Sequence, residues 1–138
     1  MALAQRSLAV VGADYPNKRG PGRRFELNIC RPGEPIELRP EPKNPKDERA
    51  IAVYSQRGVQ LGYLTAERAP WIGGMLKQGR EVRAIFQRQT PFGAWIRVGF
   101  DGLQPGIPID DGRIEAVDDD PNDAAGQDFY PDEEWPDE

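Results

Sequence analysis

Four cations crowd into one Gly/Pro-rich stretch, Pro16–Arg24, as Lys18, Arg19, Arg23 and Arg24. Such a cluster could clamp phosphates, although a run of charge by itself also describes an ordinary solvated loop. Lys43 and Lys46 add two more cations within a turn rich in proline. Four flat side chains, Tyr15, Tyr63, Phe92 and Trp95, fall at strand ends or loops. There a nucleobase could stack on them, at about 1–3 kcal/mol per base. Tyr63 and Trp95 suit the core of a small domain equally well. Tyr15 and Phe92 stand beside Gly or Pro turns and are expected to be more exposed. Asp47 can accept backbone N–H bonds in the turn that carries it. Together these residues describe recognition of a polyanion bearing planar rings.

The same inventory excludes much catalytic chemistry. The 138 residues contain no histidine and a single cysteine, Cys30. No intramolecular disulfide, thiolate metal cage or imidazole acid–base pair can form. No Gly-rich nucleotide loop or Walker motif is present, so a motor would have to be a partner. A hydrolase built on Asp/Glu-bound metal is the one enzyme class left, and no pair of acids is obviously placed for it. The cluster Asp118–Asp123 fails the EF-hand pattern, because its sixth position is Asp123 and not glycine. No catalytic residue, cofactor or metal is expected. The apolar run Leu8–Ala13 is too short to span a bilayer or form a signal-peptide core, and suits a buried strand. A cytoplasmic monomer without membrane attachment is expected.

Net charge divides the chain. Residues 1–105 carry 17 Lys/Arg against 10 Asp/Glu, a net of +7, whereas residues 106–138 carry one arginine against 13 acids, a net of −12. The overall −5 therefore hides a basic domain and an acidic tail. Beyond Pro108 the acids recur without an apolar period, a composition that cannot bury enough surface to offset chain entropy, so disorder is expected there. The segment Asp128–Trp135 alternates acids with Phe129, Tyr130 and Trp135. It imitates single-stranded nucleic acid and could fold back over the basic domain. A solubilising tail, or a docking motif for another protein, accounts for it equally.

These residues must be positioned by short elements, since 14 prolines and 15 glycines leave little room for long helices. Arg6–Gly12 reads as a first strand. Phe25–Cys30 alternates apolar and polar residues and reads as a half-buried strand. Extended structure resumes at Ile36–Arg39. Ala50–Tyr54 and Val59–Leu64 form a hairpin across Gln56-Arg57-Gly58. A helix capped by Thr65 runs to about Gln78, with Gly79 following. Glu81–Gln87 and Ala94–Phe100 close the set around the loop Thr90-Pro91-Phe92-Gly93. The expected fold is mainly β: a small barrel of about six strands with one or two short helices.

The stretch Leu38–Ala69 sharpens this reading. Arg39, Pro40, Pro42, Asn44, Pro45 and Asp47, then Ala50, Ile51 and Val53, then Gly58, Gly62, Tyr63 and Leu64 stand at specific spacings. This order resembles the core signature of the HIRAN domain. The resemblance covers roughly Leu8 to Gly102 and implies an OB-like barrel that grips the free 3′ end of single-stranded DNA. It also implies contacts from a residue pair just after the first strand and from another in the Asn-Pro turn. Tyr15 and Asp47 match those pairs, and Asp47 is expected to accept a hydrogen bond from the terminal 3′-hydroxyl. The sequence departs at Asp14, where eukaryotic members carry arginine, at Lys46, where they carry tyrosine, and at Tyr63, where they carry histidine. The function this implies is a single-stranded DNA-binding module in repair or replication, alongside a helicase or nuclease partner. The alternative is a protein-interaction adaptor working through the acidic aromatic tail.

Overall fold

The computed structural model describes residues 5–107. The expected tail beyond residue 107 lies outside them. Six strands and two helices follow in the order β1 (Gln5–Val11), α1 (Arg23–Ile29), β2 (Pro35–Pro40), β3 (Ile51–Tyr54), β4 (Gln60–Leu64), α2 (Ala69–Lys77), β5 (Val82–Thr90) and β6 (Gly93–Phe100). The strands close into an antiparallel barrel of order β1-β4-β3-β2-β5-β6. Closure removes both sheet edges, which suits a small domain with few residues to cover them.

Apolar side chains from the strands fill the barrel. Leu8 and Val10, Ile51 and Val53, Leu61 and Leu64, and Ile96 and Val98 are buried in one cluster, which also takes in Phe86. Helix α2 adds Ala69, Ile72 and Met75 to it. Pro70 sits in that helix's first turn, where its missing N–H costs nothing, and Gly79 follows at φ +79° to end it. The helix starts later than the sequence suggests. Arg68, not Thr65, is the cap residue, and the Thr65 carbonyl and hydroxyl are used in the preceding turn, both accepting from the Arg68 N–H.

One element departs in kind. Of Phe25–Cys30, expected as a strand, Phe25–Ile29 belong to helix α1 and Cys30 caps its end. Its inward positions are Arg23, Glu26 and Leu27, with Cys30 packed behind them, a spacing of i, i+3, i+4 and i+7. That is the helical period, but charged residues carry half of it, so apolar periodicity could not reveal it. Phe25 and Ile29, which supplied the apparent alternation, are exposed.

Gly62 is what lets β1 meet β4. A Cβ there would lie 2.2 Å from the Val11 carbonyl oxygen, a backbone atom that cannot swing aside. Gly93 makes the matching approach from β6, 2.1 Å from the Val10 carbonyl oxygen. The end of β1 is thus pressed between two glycines just before the chain leaves for the basic loop. Gly62→Ala should destabilise the domain by about 2 kcal/mol through forced separation of this seam. A denaturant midpoint unchanged from wild type would contradict that reading.

Candidate nucleic-acid interface

One row of side chains crosses the outside of the barrel. Arg39 of β2 pairs in register with Ala52 of β3, Ala52 with Tyr63 of β4, and Tyr63 with Val11 of β1. Ala50, Ala52 and Tyr63 form a small outer cluster, with Tyr54 packed against it. The Arg39 guanidinium lies 3.8 Å from the Tyr54 ring centroid, and its Nε is 2.9 Å from a Glu37 carboxylate oxygen. The stacked pair was not singled out in the sequence as a site. The available signal was the two-residue step from Ala52 to Tyr54, which sets a flat ring on the same outward face as Tyr63.

Tyr63 joins the two loops above this row. Its hydroxyl donates to Glu41 Oε1 at 2.7 Å, and Asn44 Nδ2 donates to the same oxygen at 3.1 Å. Asn44 Oδ1 then accepts the N–H groups of Lys46 and Asp47, which sets the Asn-Pro turn. Asp47 Oδ1 accepts the Arg49 N–H at 2.9 Å, so one of its oxygens serves its own turn. On the other side of Tyr63, the Arg23 guanidinium lies over the ring, 5.9 Å from its centroid. Tyr63 is 1% exposed. Its ring is therefore not a platform for a base but the link between the loops, a departure from one of its two expected roles.

Arg23 departs in the same way. At 3% exposure it is no free phosphate clamp. Its Nη1 donates to the Gly12 carbonyl at 2.8 Å and its Nε to Asn17 Oδ1 at 2.8 Å. Asn17 Nδ2 in turn donates to the carbonyls of Pro21 and Gln60. Arginine serves here because its planar fork satisfies two loop acceptors at once.

Arg24 ties in the third segment. Its Nε pairs with Asp14 Oδ1 at 3.0 Å, and its Nη atoms donate to the carbonyls of Thr90 and Pro91 in the β5–β6 turn. The unusual Asp14 is thus the partner of an arginine in the first turn of α1, and part of its charge is offset there. Phe92 stands at the tip of that turn, half-buried and edge-on to Trp95 at 6.2 Å. Trp95 itself is buried. Tyr15 is half-buried, its N–H donating to the Gly12 carbonyl. Lys18, Arg19 and Lys43 are exposed, and Lys46 is partly exposed.

The structure thus gathers the β1–α1 loop, the Asn-Pro turn and the Phe92 turn into one connected assembly. Two of its cations are carboxylate-paired, Arg24 with Asp14 and Arg39 with Glu37, as are several elsewhere on the barrel. Arg57, Arg80 and Arg83 are each held by neighbouring carboxylates. Among the described residues, Arg19 and Lys43 have no carboxylate at ion-pair distance.

Burial pushes the Cys30 thiol up to about 11, so at neutral pH it is protonated and a poor nucleophile. Among the described residues no three His, Cys, Asp or Glu side chains converge as a metal site. No helix among them is long and apolar enough to cross a membrane.

The sequence profile of the HIRAN domain matches residues 8–101. No curated protein sequence matches the chain. The fold is similar to the crystal structure of the HIRAN domain of human HLTF, with TM-score 0.58 and 21% identity over 70% of this chain and 74% of that one. It is also similar to a structural-genomics structure from Lactobacillus plantarum, with TM-score 0.59 and 21% identity over 71% of this chain and 91% of that one.

Proposed function

The chain belongs to the HIRAN domain family, and from that premise we propose that it binds single-stranded DNA at the assembly around Tyr63, as a binding module and not an enzyme. Family membership supports nucleic-acid binding in general. The preference for a single strand and its free 3′ end is our reading of this surface. Phosphates pair with Lys18, Arg19, Lys43 and Lys46, while bases stack on Tyr15 and Phe92. The second oxygen of Asp47 accepts from a terminal 3′-hydroxyl. We place the module in DNA repair or replication in the cytoplasm, beside a helicase or nuclease partner.

The observation that carries this reading is the chain of contacts from the Phe92 turn through Arg24, Arg23, Tyr63 and Glu41 to the Asn-Pro turn. It holds separate loops in register, so cations and rings present themselves together. Neutralising four phosphates should give a log–log salt slope of about −3 for a single strand. Replacing Arg19 and Lys43 by alanine together should flatten the slope by about 1.4. Fluorescence anisotropy across a salt series reads both quantities. Weak binding that ignores salt would refute phosphate pairing and favour the adaptor alternative.

A further inference from the structure

Helix α1 exposes an apolar pair that the nucleic-acid reading does not use. Phe25 is 60% and Ile29 42% exposed, one helical turn apart and on the same side. The surroundings are mainly basic, and the exposed acid Asp14 is paired with Arg24 of the same helix. Between Pro16 and Gly33 the one carboxylate is Glu26, which is buried and accepts hydrogen bonds from Ser55 and Arg57. The exposed side chains of that stretch include Arg19 and Arg31 together with Phe25, Asn28 and Ile29.

The chain carries the complement of this surface. Asp128-Phe129-Tyr130-Pro131-Asp132-Glu133-Glu134-Trp135 combines three large aromatics with four carboxylates. We propose that this segment docks on the exposed face of α1, its rings on Phe25 and Ile29 and its carboxylates beside Arg19 and Arg31, and so competes with nucleic acid for the adjoining basic loop. Reach is sufficient. Twenty residues separate Ile107 from Asp128, which for a flexible chain spans about 25 Å root-mean-square. A domain of this size has a radius of gyration of about 13 Å, so every face is accessible. Tethering holds the segment at an effective concentration approaching about 1 mM, enough to populate a weak contact. The competition rests on the function proposed above, whereas the docking does not.

The test uses the full chain and the triple variant F129A/Y130A/W135A, followed by amide NMR and by DNA anisotropy. The amides of Phe25, Asn28 and Ile29 should shift between the two proteins, independently of protein concentration. A peptide of residues 126–138 added to the variant at millimolar concentration should move them back. DNA affinity should rise about three- to tenfold in the triple variant and equally in Phe25→Ser, with no further gain on combining them. Unchanged α1 amides would overturn the docking. Shifts that scale with protein concentration would also overturn it, by making a second copy the occupant. Phe25→Ser weakening DNA binding in the triple variant would overturn the competition by making Phe25 a base platform. If α1 shifts but neither protein binds DNA, the docking stands and the nucleic-acid function fails.

Discussion

Arg23→Ala is expected to destabilise the domain by about 3 kcal/mol and to abolish most nucleic-acid affinity. Removing the guanidinium strips Asn17 Oδ1 of the Arg23 bond and leaves the Gly12 carbonyl only the Tyr15 N–H, and each lost bond to a buried acceptor costs about 1–3 kcal/mol. It also removes the cation from the Tyr63 ring. The loop carrying Lys18 and Arg19 is then no longer fastened to the end of β1, so its cations lose register with the Asn-Pro turn. Lysine should not rescue the fold, because a single ammonium cannot serve two acceptors in fork geometry. Urea unfolding, with anisotropy on the fraction still folded, separates the two effects. Wild-type DNA affinity in folded Arg23→Ala would show that the loop needs no fastening.

Glu26→Ala should come close to this in stability. Glu26 is 1% exposed and accepts from Ser55 Oγ at 2.7 Å and from Arg57 Nε at 2.5 Å. Ser55 Oγ also accepts the N–H groups of Arg57 and Val59, so the carboxylate anchors α1 to the β3–β4 turn. A seven-residue helix has little stability of its own and depends on such anchors. Loss of a buried charged acceptor should cost about 2–3 kcal/mol, read as a fall in urea midpoint. Glutamine, which keeps an acceptor oxygen, should cost less. Acid loosens the same clamp from its other end. Hydrogen bonding to Arg57 holds the Glu34 carboxyl below its ordinary value of 4.5. The stability this lends is present above that value and drains away as pH falls through the lowered one. A thermal midpoint that did not fall between about pH 5 and pH 3 would contradict the linkage.

The strands were legible as short apolar runs bounded by Gly, Pro and Asn turns, and the Leu38–Ala69 signature because its prolines and glycines answer to geometry. Gly62 is the clearest case, since only a residue without Cβ fits against Val11. Helix α1 was not legible, because Arg23 and Glu26 occupy its inward stripe. For the same reason the loop's four cations read as equals although one is buried. Nothing local distinguishes Arg23 from Arg24; the difference lies in Gly12, Asn17 and Tyr63, which only the closed barrel brings within reach. Tyr63 likewise reads equally as platform or core until Glu41 is seen to take its hydroxyl.

The most direct test of end recognition is anisotropy of a fluorescent single strand of about ten nucleotides, carrying either a 3′-hydroxyl or a 3′-phosphate, at low salt, with the full chain and with the tail variant. Asp47 as acceptor predicts clear preference for the hydroxyl, lost in Asp47→Ala, because a 3′-phosphate sets negative charge against its carboxylate. Equal binding of the two strands would contradict end recognition and leave a general single-strand binder. Absence of binding to either strand, in both proteins, would contradict the nucleic-acid function itself.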